Sequence, residues 1–456
     1  FFTMLKKNLF IILNSFFIGI FLVIFIEMNF RLDGNFFLIK KNYLYVSILI
    51  VLISSIFVKK SRFISINIFI LYSLFFPLNF FLKSDLYRTA GYKSNYEIAK
   101  EKNLFFDNRS VLQFYKDLKK ENDISSLYSV IDNVSVNSSI SNLNLSVFPI
   151  STGVPNSNSI FCNESGKYDF LKLDKYGFPN DNQIYEKKNL IFDFILLGDS
   201  FTKGCGVTNK NKPSYILEKK YNYKILNLAN GGGLLSYYAA YKEYGKYFKS
   251  RYVVLNFYEG NDFTDFIYET KTYLNNYLDD DFDQNLINKT TEVEKIYKKI
   301  FNYSFDAINE KKSKQKTYFI KLISLDNLLN TYNSHLDRFK LNQRYKSDIF
   351  KKEQFSLILL KIKKIIEKNN SELIINIVPT WERYYLNHHN NDQYLFNMKF
   401  KELLKELEIE FIELNSYIKL KHKNPIELYR FKRHNHFNEL GYSIMADQIH
   451  DKFKGR

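Results

Sequence analysis

The chain has 456 residues, a length that suits about two domains. Its 65 Lys and Arg residues outnumber the 48 Asp and Glu residues and give a formal net charge of +17. No nucleic-acid-binding motif or localised basic stripe accompanies this charge, which argues against a nucleic-acid partner and favours a lysine-rich solvated surface. Long-range attraction to anionic lipid head groups or acidic glycans stays open.

Three long apolar stretches, residues 9–26, 43–58 and 63–82, lie near the N-terminal end and contain few charges. Each approaches the roughly 17 to 25 residues needed to cross a bilayer. A cleaved signal peptide would explain only the first stretch, and a buried core helix is the alternative for the shorter middle one. We therefore predict that residues 1–83 form a multi-pass transmembrane region of about three helices.

The charges that flank these stretches indicate an orientation. Lys6 and Lys7 precede the first stretch, and Lys59, Lys60 and Arg62 fill the short loop before the third. By the positive-inside rule both groups face the cytoplasm, and three spans then place residues 83 onward outside it. If the middle stretch does not cross the membrane, the number of spans becomes even, and the residues after the spans lie in the cytoplasm.

Residues 84–160 have a mixed pattern with a Ser/Asn-rich patch at 135–159, and we predict a membrane-proximal connector or small cap. The two cysteines, Cys162 and Cys205, follow it. An oxidising compartment would permit one intramolecular disulfide. Because their spacing gives no sign of proximity, we predict that both are free.

From residue 191 onward, apolar runs alternate with helical patterns, which predicts a mainly parallel sheet covered on both faces. A Lys/Asn/Tyr-rich segment, residues 263–350, interrupts this order and is predicted to be an insertion. The predicted strands are 191–197, 224–229, 252–258, 373–378 and 410–414, and the predicted helices are 213–221, 234–248, 355–367, 395–407 and 440–453.

Polar residues follow the first three strands. Ser200, Gly232 and Asn261 fall at strand exits, where open α/β sheets bind their ligands. His436 precedes the last predicted helix, whose predicted N-cap is Asn438. Singly, each has a structural explanation: the serine as a helix cap, the glycine as a flexible turn, the asparagine as a turn or cap, and the histidine as an exposed loop residue. Together they supply a nucleophile, a base and oxyanion donors.

These blocks, in this order, resemble the SGNH hydrolase superfamily of GDSL-type esterases, in its membrane-attached bacterial form. The resemblance covers residues 160–454 and implies a three-layer α/β/α, flavodoxin-like domain at 161–456. It is carried by Gly198-Asp199-Ser200-Phe201-Thr202, Gly232, Gly260-Asn261-Asp262 and His436 with Asn438 and Gly441, and upstream by Cys162-Asn163-Glu164-Ser165-Gly166 and Tyr176-Gly177-Phe178-Pro179-Asn180.

The resemblance implies a role for each matching residue. Ser200 would attack an ester, His436 would act as general base, and Gly232 and Asn261 would hold the oxyanion together with the serine N–H. Either Gly231 or Gly233 could take the place of Gly232.

One position departs from the family pattern. The family usually carries an aspartate two or three residues before the histidine, where this chain has His434 and Arg433. His434, Asn435, a backbone carbonyl or a remote carboxylate could orient the base instead, or a Ser-His dyad could operate.

We therefore predict a membrane-anchored serine hydrolase that removes or transfers an acyl group on an extracytoplasmic glycan or lipid. No cofactor is expected, and the histidines lack a zinc-type spacing, so no metal is expected either. The alternative is a catalytically inactive glycan-binding membrane protein. The acyl group, its acceptor and the oligomeric state are left open by the sequence.

Overall fold

The computed structural model describes residues 94–119, 126–127, 145–187, 189–313, 351–385, 392–433 and 436–455, together with isolated positions between 11 and 70. The chain divides into two compact units, residues 1–93 with 306–341 and residues 94–305 with 342–456. In the first unit, Asn14 and Leu52 are helical and buried, and the Asn14 side chain donates to the Leu52 carbonyl at 3.0 Å. No helix within the described residues has the length and apolarity to cross a membrane. The predicted spans fall mostly outside those residues and stay predictions.

The second unit begins with two helices and a small sheet. The helices are α1 (Asn95–Glu101) and α2 (Val111–Lys119), and the strands are β1 (Ser126–Leu127), β2 (Asn158–Ile160) and β3 (Phe170–Lys172). Strand β2 pairs in parallel with β1 and antiparallel with β3. Val147, Phe148, Ile150 and Val154 are buried in the main hydrophobic core. The packed core therefore begins upstream of residue 161, the predicted start of the hydrolase-like domain.

A five-stranded parallel sheet forms the centre of this unit. Its strands are β4 (Ile191–Gly198), β5 (Ile225–Asn227), β6 (Lys249–Tyr258), β7 (Glu372–Val378) and β8 (Glu410–Glu413). The spatial order is β5-β4-β6-β7-β8, which is the flavodoxin-like order. The prediction of a parallel sheet is confirmed. Strand β5 is shorter than predicted, and just after it the N–H of Ala229 donates to the Asn227 side chain.

Helices cover both faces of the sheet because side chains alternate along each strand. In β4, Ile195 and Leu197 belong to one buried cluster, and Phe194 and Leu196 belong to another on the opposite face. The result is three layers. The helices are α3 (Ser200–Lys203), α4 (Pro213–Tyr221), α5 (Leu234–Glu243), α6 (Asp262–Glu269), α7 (Thr290–Ser313), α8 (Lys352–Lys368), α9 (Glu382–Tyr385), α10 (Asp392–Glu406), α11 (Leu414–Lys421) and α12 (Glu439–Phe453). The first cluster includes residues of α5, α8 and α10, and the second includes residues of α4 and α12.

The described part of segment 263–350 lies between β6 and β7 and packs against helix α5. Buried Glu243 of α5 accepts hydrogen bonds from the Tyr277 hydroxyl at 2.7 Å and from the backbone N–H groups of Gln284 and Leu286 at 2.8 Å each. A carboxylate that accepts several donors compensates for its own burial. Residues 314–350 of the predicted insertion lie outside the described residues.

Candidate active site

Ser200 stands at the sharp turn between β4 and α3. Gly198 has φ +143°, and a Cβ there would lie 2.8 Å from the Asn256 carbonyl oxygen, so the turn requires glycine. Asp199 is the helix N-cap, since its carboxylate accepts from the Phe201 N–H at 2.9 Å. Because Asp199 performs the capping, the hydroxyl of Ser200 is left for another contact. The Ser200 N–H, at the first helical position, has no acceptor within the helix.

The Ser200 hydroxyl contacts His436, and His436 in turn contacts Glu164. Ser200 Oγ lies 2.6 Å from His436 Nε2, and His436 Nδ1 lies 2.9 Å from Glu164 Oε1. The backbone N–H of His436 donates to the other carboxylate oxygen, Glu164 Oε2, at 2.7 Å. Both oxygens of Glu164 thus bind the same residue, which fixes the plane of the imidazole ring.

These contacts decide which imidazole nitrogen holds the proton. An ionised carboxylate can only accept hydrogen bonds, so Nδ1 of His436 carries the hydrogen that Glu164 receives. In the neutral ring, Nε2 is then left with a lone pair directed at the Ser200 hydroxyl. The arrangement is therefore competent to take a proton from Ser200.

Backbone contacts hold the histidine loop against the rest of the unit. The Arg430 N–H donates to the His436 carbonyl at 3.0 Å, and the Asn438 N–H donates to the Leu428 carbonyl at 2.8 Å. Asn438 caps α12 by accepting from the Gly441 N–H at 3.0 Å, which confirms the predicted N-cap. The ring of Phe201, directly after the serine, packs 4.6 Å from the His436 ring.

Glu164 is supplied by the loop between β2 and β3, far from the serine in sequence. Cys162, two residues earlier, forms a disulfide with Cys205, which follows helix α3. The prediction that both cysteines are free was wrong. The cysteines are 43 positions apart, with no local pattern that would reveal their pairing, and only the packing of the small sheet against the α3 turn makes them neighbours.

The glycine loop after β5 lies beside the turn that carries Ser200, since the Asn230 N–H donates to the Gly198 carbonyl at 3.0 Å. The Gly233 N–H donates to buried Glu269 at 2.6 Å, so this glycine is not available as an oxyanion donor. Gly232 has φ +111°, and a Cβ there would lie 2.5 Å from Glu269 Oε1 and Ser236 Oγ. Between Gly232 and Gly233, Gly232 therefore fits the predicted role of oxyanion donor.

A buried tyrosine links this loop to the segment after β6. The Tyr237 hydroxyl lies 2.7 Å from the Gly232 carbonyl oxygen and 3.0 Å from Asp262 Oδ1. Burial raises the pKa of Asp262 well above its ordinary value. The adjacent Asn261 donates one amide hydrogen to Asp265 at 2.5 Å, which leaves its second amide hydrogen for a ligand.

Glu164, the third residue in the chain of contacts from Ser200 through His436, is the residue that sequence reasoning missed. His434 and Asn435, two of the alternatives considered for it, lie outside the described residues. Glu164 corresponds to the remote-carboxylate alternative. The available signal was a carboxylate within Cys162-Asn163-Glu164-Ser165-Gly166, a block that had served only as evidence of the resemblance.

Glu164, Cys205 and His436 place potential metal-ligand atoms within 4.8 Å of one another. The sulfur of Cys205 is bonded to Cys162, so it offers no thiolate. Both ring nitrogens of His436 already contact protein side chains. The geometry of this cluster suits proton transfer between Ser200 and His436.

No protein-family model matches the chain, and no curated protein matches it. Among solved structures, it is similar to a member of the lipolytic protein G-D-S-L family from Veillonella parvula, with 12% identity, a TM-score of 0.31, and coverage of 59% of this chain and 100% of that chain. It is also similar to a provisionally named acylhydrolase from Bacteroides fragilis, with 11% identity, a TM-score of 0.31, and coverage of 60% and 93%. The G-D-S-L family, to which the first of these structures is assigned, is the family that the sequence blocks resemble. Structural overlap of this extent carries no functional argument, so the case for function rests on the site geometry.

Proposed function

We propose that this chain is a serine-dependent ester hydrolase of the SGNH type, with Ser200 as nucleophile, His436 as general base and Glu164 as the residue that orients the base. One observation carries the proposal: the continuous hydrogen-bonded relay from Ser200 Oγ through both ring nitrogens of His436 to Glu164. A nucleophile bonded to a base that is itself oriented by a third group is the arrangement that activates a serine hydroxyl.

Acylation would proceed as follows. Ser200 Oγ attacks the ester carbonyl carbon as its proton moves to His436 Nε2, and the Glu164 carboxylate stabilises the imidazolium. The N–H groups of Ser200 and Gly232 and the amide of Asn261 hold the oxyanion, each donor contributing roughly 3 kcal/mol. When the tetrahedral intermediate collapses, His436 returns the proton to the departing alkoxide. The acyl group is then bonded to Ser200.

The acyl group leaves Ser200 by the same steps in reverse. His436 takes a proton from the incoming hydroxyl, whose oxygen attacks the acyl carbon, and then returns it to Ser200. Water as the incoming group gives an esterase, and a sugar hydroxyl gives an O-acyltransferase. The proton relay is the same for both acceptors.

The location and substrate class are part of the proposal. The apolar stretches at 9–26, 43–58 and 63–82 support membrane attachment. The Cys162–Cys205 disulfide supports an oxidising, extracytoplasmic compartment, because cytosolic thiols are kept reduced. In that compartment an acylated glycan or lipid presents the ester that the site requires. A non-catalytic glycan-binding protein would have no need of an intact relay, which favours the enzyme.

The first test is active-site labelling of the full chain in detergent with a fluorophosphonate probe. We expect labelling of the wild type, none of Ser200→Ala, and undiminished labelling of Ser214→Ala, a matched control that removes a half-buried hydroxyl on α4. Hydrolysis of a short-chain aryl ester should fall by roughly three orders of magnitude or more in Ser200→Ala alone. Release of the acyl group to water, compared with its capture by an added oligosaccharide, then separates esterase from acyltransferase.

Folded wild-type protein that takes up no probe and hydrolyses no ester would contradict the hydrolase. Glycan binding that survives Ser200→Ala unchanged would then support the binding protein.

A further inference from the structure

The Cys162–Cys205 disulfide joins the two parts of the site that carry the orienting carboxylate and the nucleophile. Cys162 precedes Glu164 by two residues. Cys205 lies directly after the nucleophile helix, and its N–H donates to the Ser200 carbonyl at 3.0 Å. The covalent path from the carboxylate loop to the serine turn is therefore only a few residues long on each side.

The two sides of this bond belong to different sheets. Glu164 lies in the loop between β2 and β3 of the small sheet, whereas Ser200 follows β4 of the large sheet. The loop is closed at its base, since the Asp169 N–H donates to the Cys162 carbonyl at 2.9 Å and the Phe161 N–H donates to the Asp169 carbonyl at 2.8 Å. The disulfide thus holds a closed loop, with Glu164 near its tip, at a fixed distance from the serine turn.

Further contacts hold the loop, one from Asp107 between α1 and α2 and one from Lys212 directly before α4. The Asn163 side chain donates to the Asp107 carbonyl at 2.9 Å. Buried Lys212 lies 3.3 Å from Asp169 Oδ1 and also donates to the Phe170 carbonyl at 3.1 Å. We expect these contacts to preserve the loop when the disulfide is broken, so breaking it should change the position of Glu164 without unfolding the unit.

We propose that the Cys162–Cys205 disulfide is a positioning element that keeps Glu164 bonded to His436, so that its reduction slows acylation and leaves the Ser200–His436 contact in place. The inference rests on the proposed hydrolase function. The sulfurs take no part in the ester reaction. In the reduction, a dithiol reagent supplies two electrons and two protons, the S–S bond breaks, two thiols form, and the reagent becomes a cyclic disulfide.

The test is a double-mutant cycle between the disulfide and the carboxylate. Cys162→Ala/Cys205→Ala, made in the full chain, should lower kcat for a short-chain aryl ester by roughly 10²-fold, the usual cost of misplacing a catalytic group by about 1 Å. KM should be unchanged. In a Glu164→Gln background the same pair of substitutions should cost little more, because both changes remove one interaction.

Reduction of the wild type provides a second measurement that does not depend on how the variants fold. Dithiothreitol should lower kcat reversibly while the melting curve retains its transition, and it should leave Cys162→Ala/Cys205→Ala unaffected. Unchanged kcat on reduction, or losses that multiply in the Glu164→Gln background, would overturn the positioning role. Wild type that takes up no fluorophosphonate would instead contradict the hydrolase itself, so the two failures are distinguishable.

Discussion

Glu164 and His436 are 272 residues apart in the sequence, yet the Glu164 carboxylate receives both the ring N–H of His436 at 2.9 Å and its backbone N–H at 2.7 Å. A carboxylate placed just before the histidine in sequence is therefore not needed to orient this base. The orienting group comes from a loop of the small sheet, and it reaches the histidine only in the folded protein.

Replacing Glu164 by Gln should reduce kcat by roughly 10²-fold or more, because the amide removes the negative charge that stabilises the imidazolium and no longer dictates which ring nitrogen carries hydrogen. Ester hydrolysis at saturating substrate measures the effect. Lys167→Gln is the matched control, since Lys167 is exposed on the same loop. Equal activity of Glu164→Gln and wild type would show that the site works as a Ser-His dyad.

Gly232→Ala should lose more activity than Gly231→Ala. Gly232 has φ +111° and no room for a Cβ beside Glu269 and Ser236, whereas the φ of Gly231 is not positive. Displacing the Gly232 N–H should lower kcat by roughly 10²-fold, and the left-handed backbone should cost about 1 to 3 kcal/mol of stability. Steady-state kinetics with melting temperatures for both variants check this. A larger kcat loss in Gly231→Ala would transfer the oxyanion role to Gly231.

Glu269 should make the stability of the unit depend on pH. Burial raises the pKa of this carboxyl to about 7, although Ser236 and the N–H groups of Gly233 and Leu235 donate to it. The folded state therefore binds the proton more tightly than the unfolded state does. The stability that Glu269 contributes to the folded state is fully present below the ordinary glutamate pKa and is lost as pH rises through about 7. Wild type should melt at a lower temperature at about pH 8 than at about pH 5.

Glu269→Gln isolates this contribution, because other buried carboxyls whose pKa values are raised by burial, such as Asp262, shift stability in the same direction. The variant should show a smaller difference in melting temperature between the two pH values. Glu402→Gln on α10 is the control, since Glu402 is exposed. A pH dependence as large in Glu269→Gln as in wild type would contradict the assignment.

Asn438→Ala should lower both stability and activity. Its Oδ1 caps α12 at the Gly441 N–H, and its Nδ2 donates to the Glu427 carbonyl at 2.6 Å, so one side chain holds the helix and the loop on either side of His436. Loss of an N-cap costs about 1 kcal/mol. Asn438→Asp keeps the cap and replaces the donor to Glu427 with a carboxylate oxygen that the Glu427 carbonyl repels. If Asn438→Asp melts like wild type but is less active, the loop contact is the one that serves the site.

The sheet could be predicted because its strands are nearly continuous apolar runs, which buried parallel strands require. The residues around Ser200 could be predicted because a turn after such a strand exposes its side chain at the sheet edge. Helix α12 and its Asn438 cap followed from local periodicity and capping chemistry. In each case the sequence pattern that permits the prediction lies within a few residues.

Glu164 and the disulfide could not be predicted in the same way. Their partners are set by how the small sheet packs on the large one, and no local pattern encodes that packing. The choice between Gly232 and Gly233 likewise depended on Glu269, a buried residue on α6 that sequence reasoning had not singled out.

Ser200 and His436 are 236 residues apart in the sequence, so the ribosome makes them at different times. A ribosome makes the serine and the Glu164 loop long before the histidine and the α12 helix that supports it. Under the proposed mechanism, the growing chain therefore carries a nucleophile without its base, and the two meet only after β6, β7 and β8 have been made. Under the proposed mechanism, we expect such a chain to stay inert toward esters until His436 has been made and has reached Ser200.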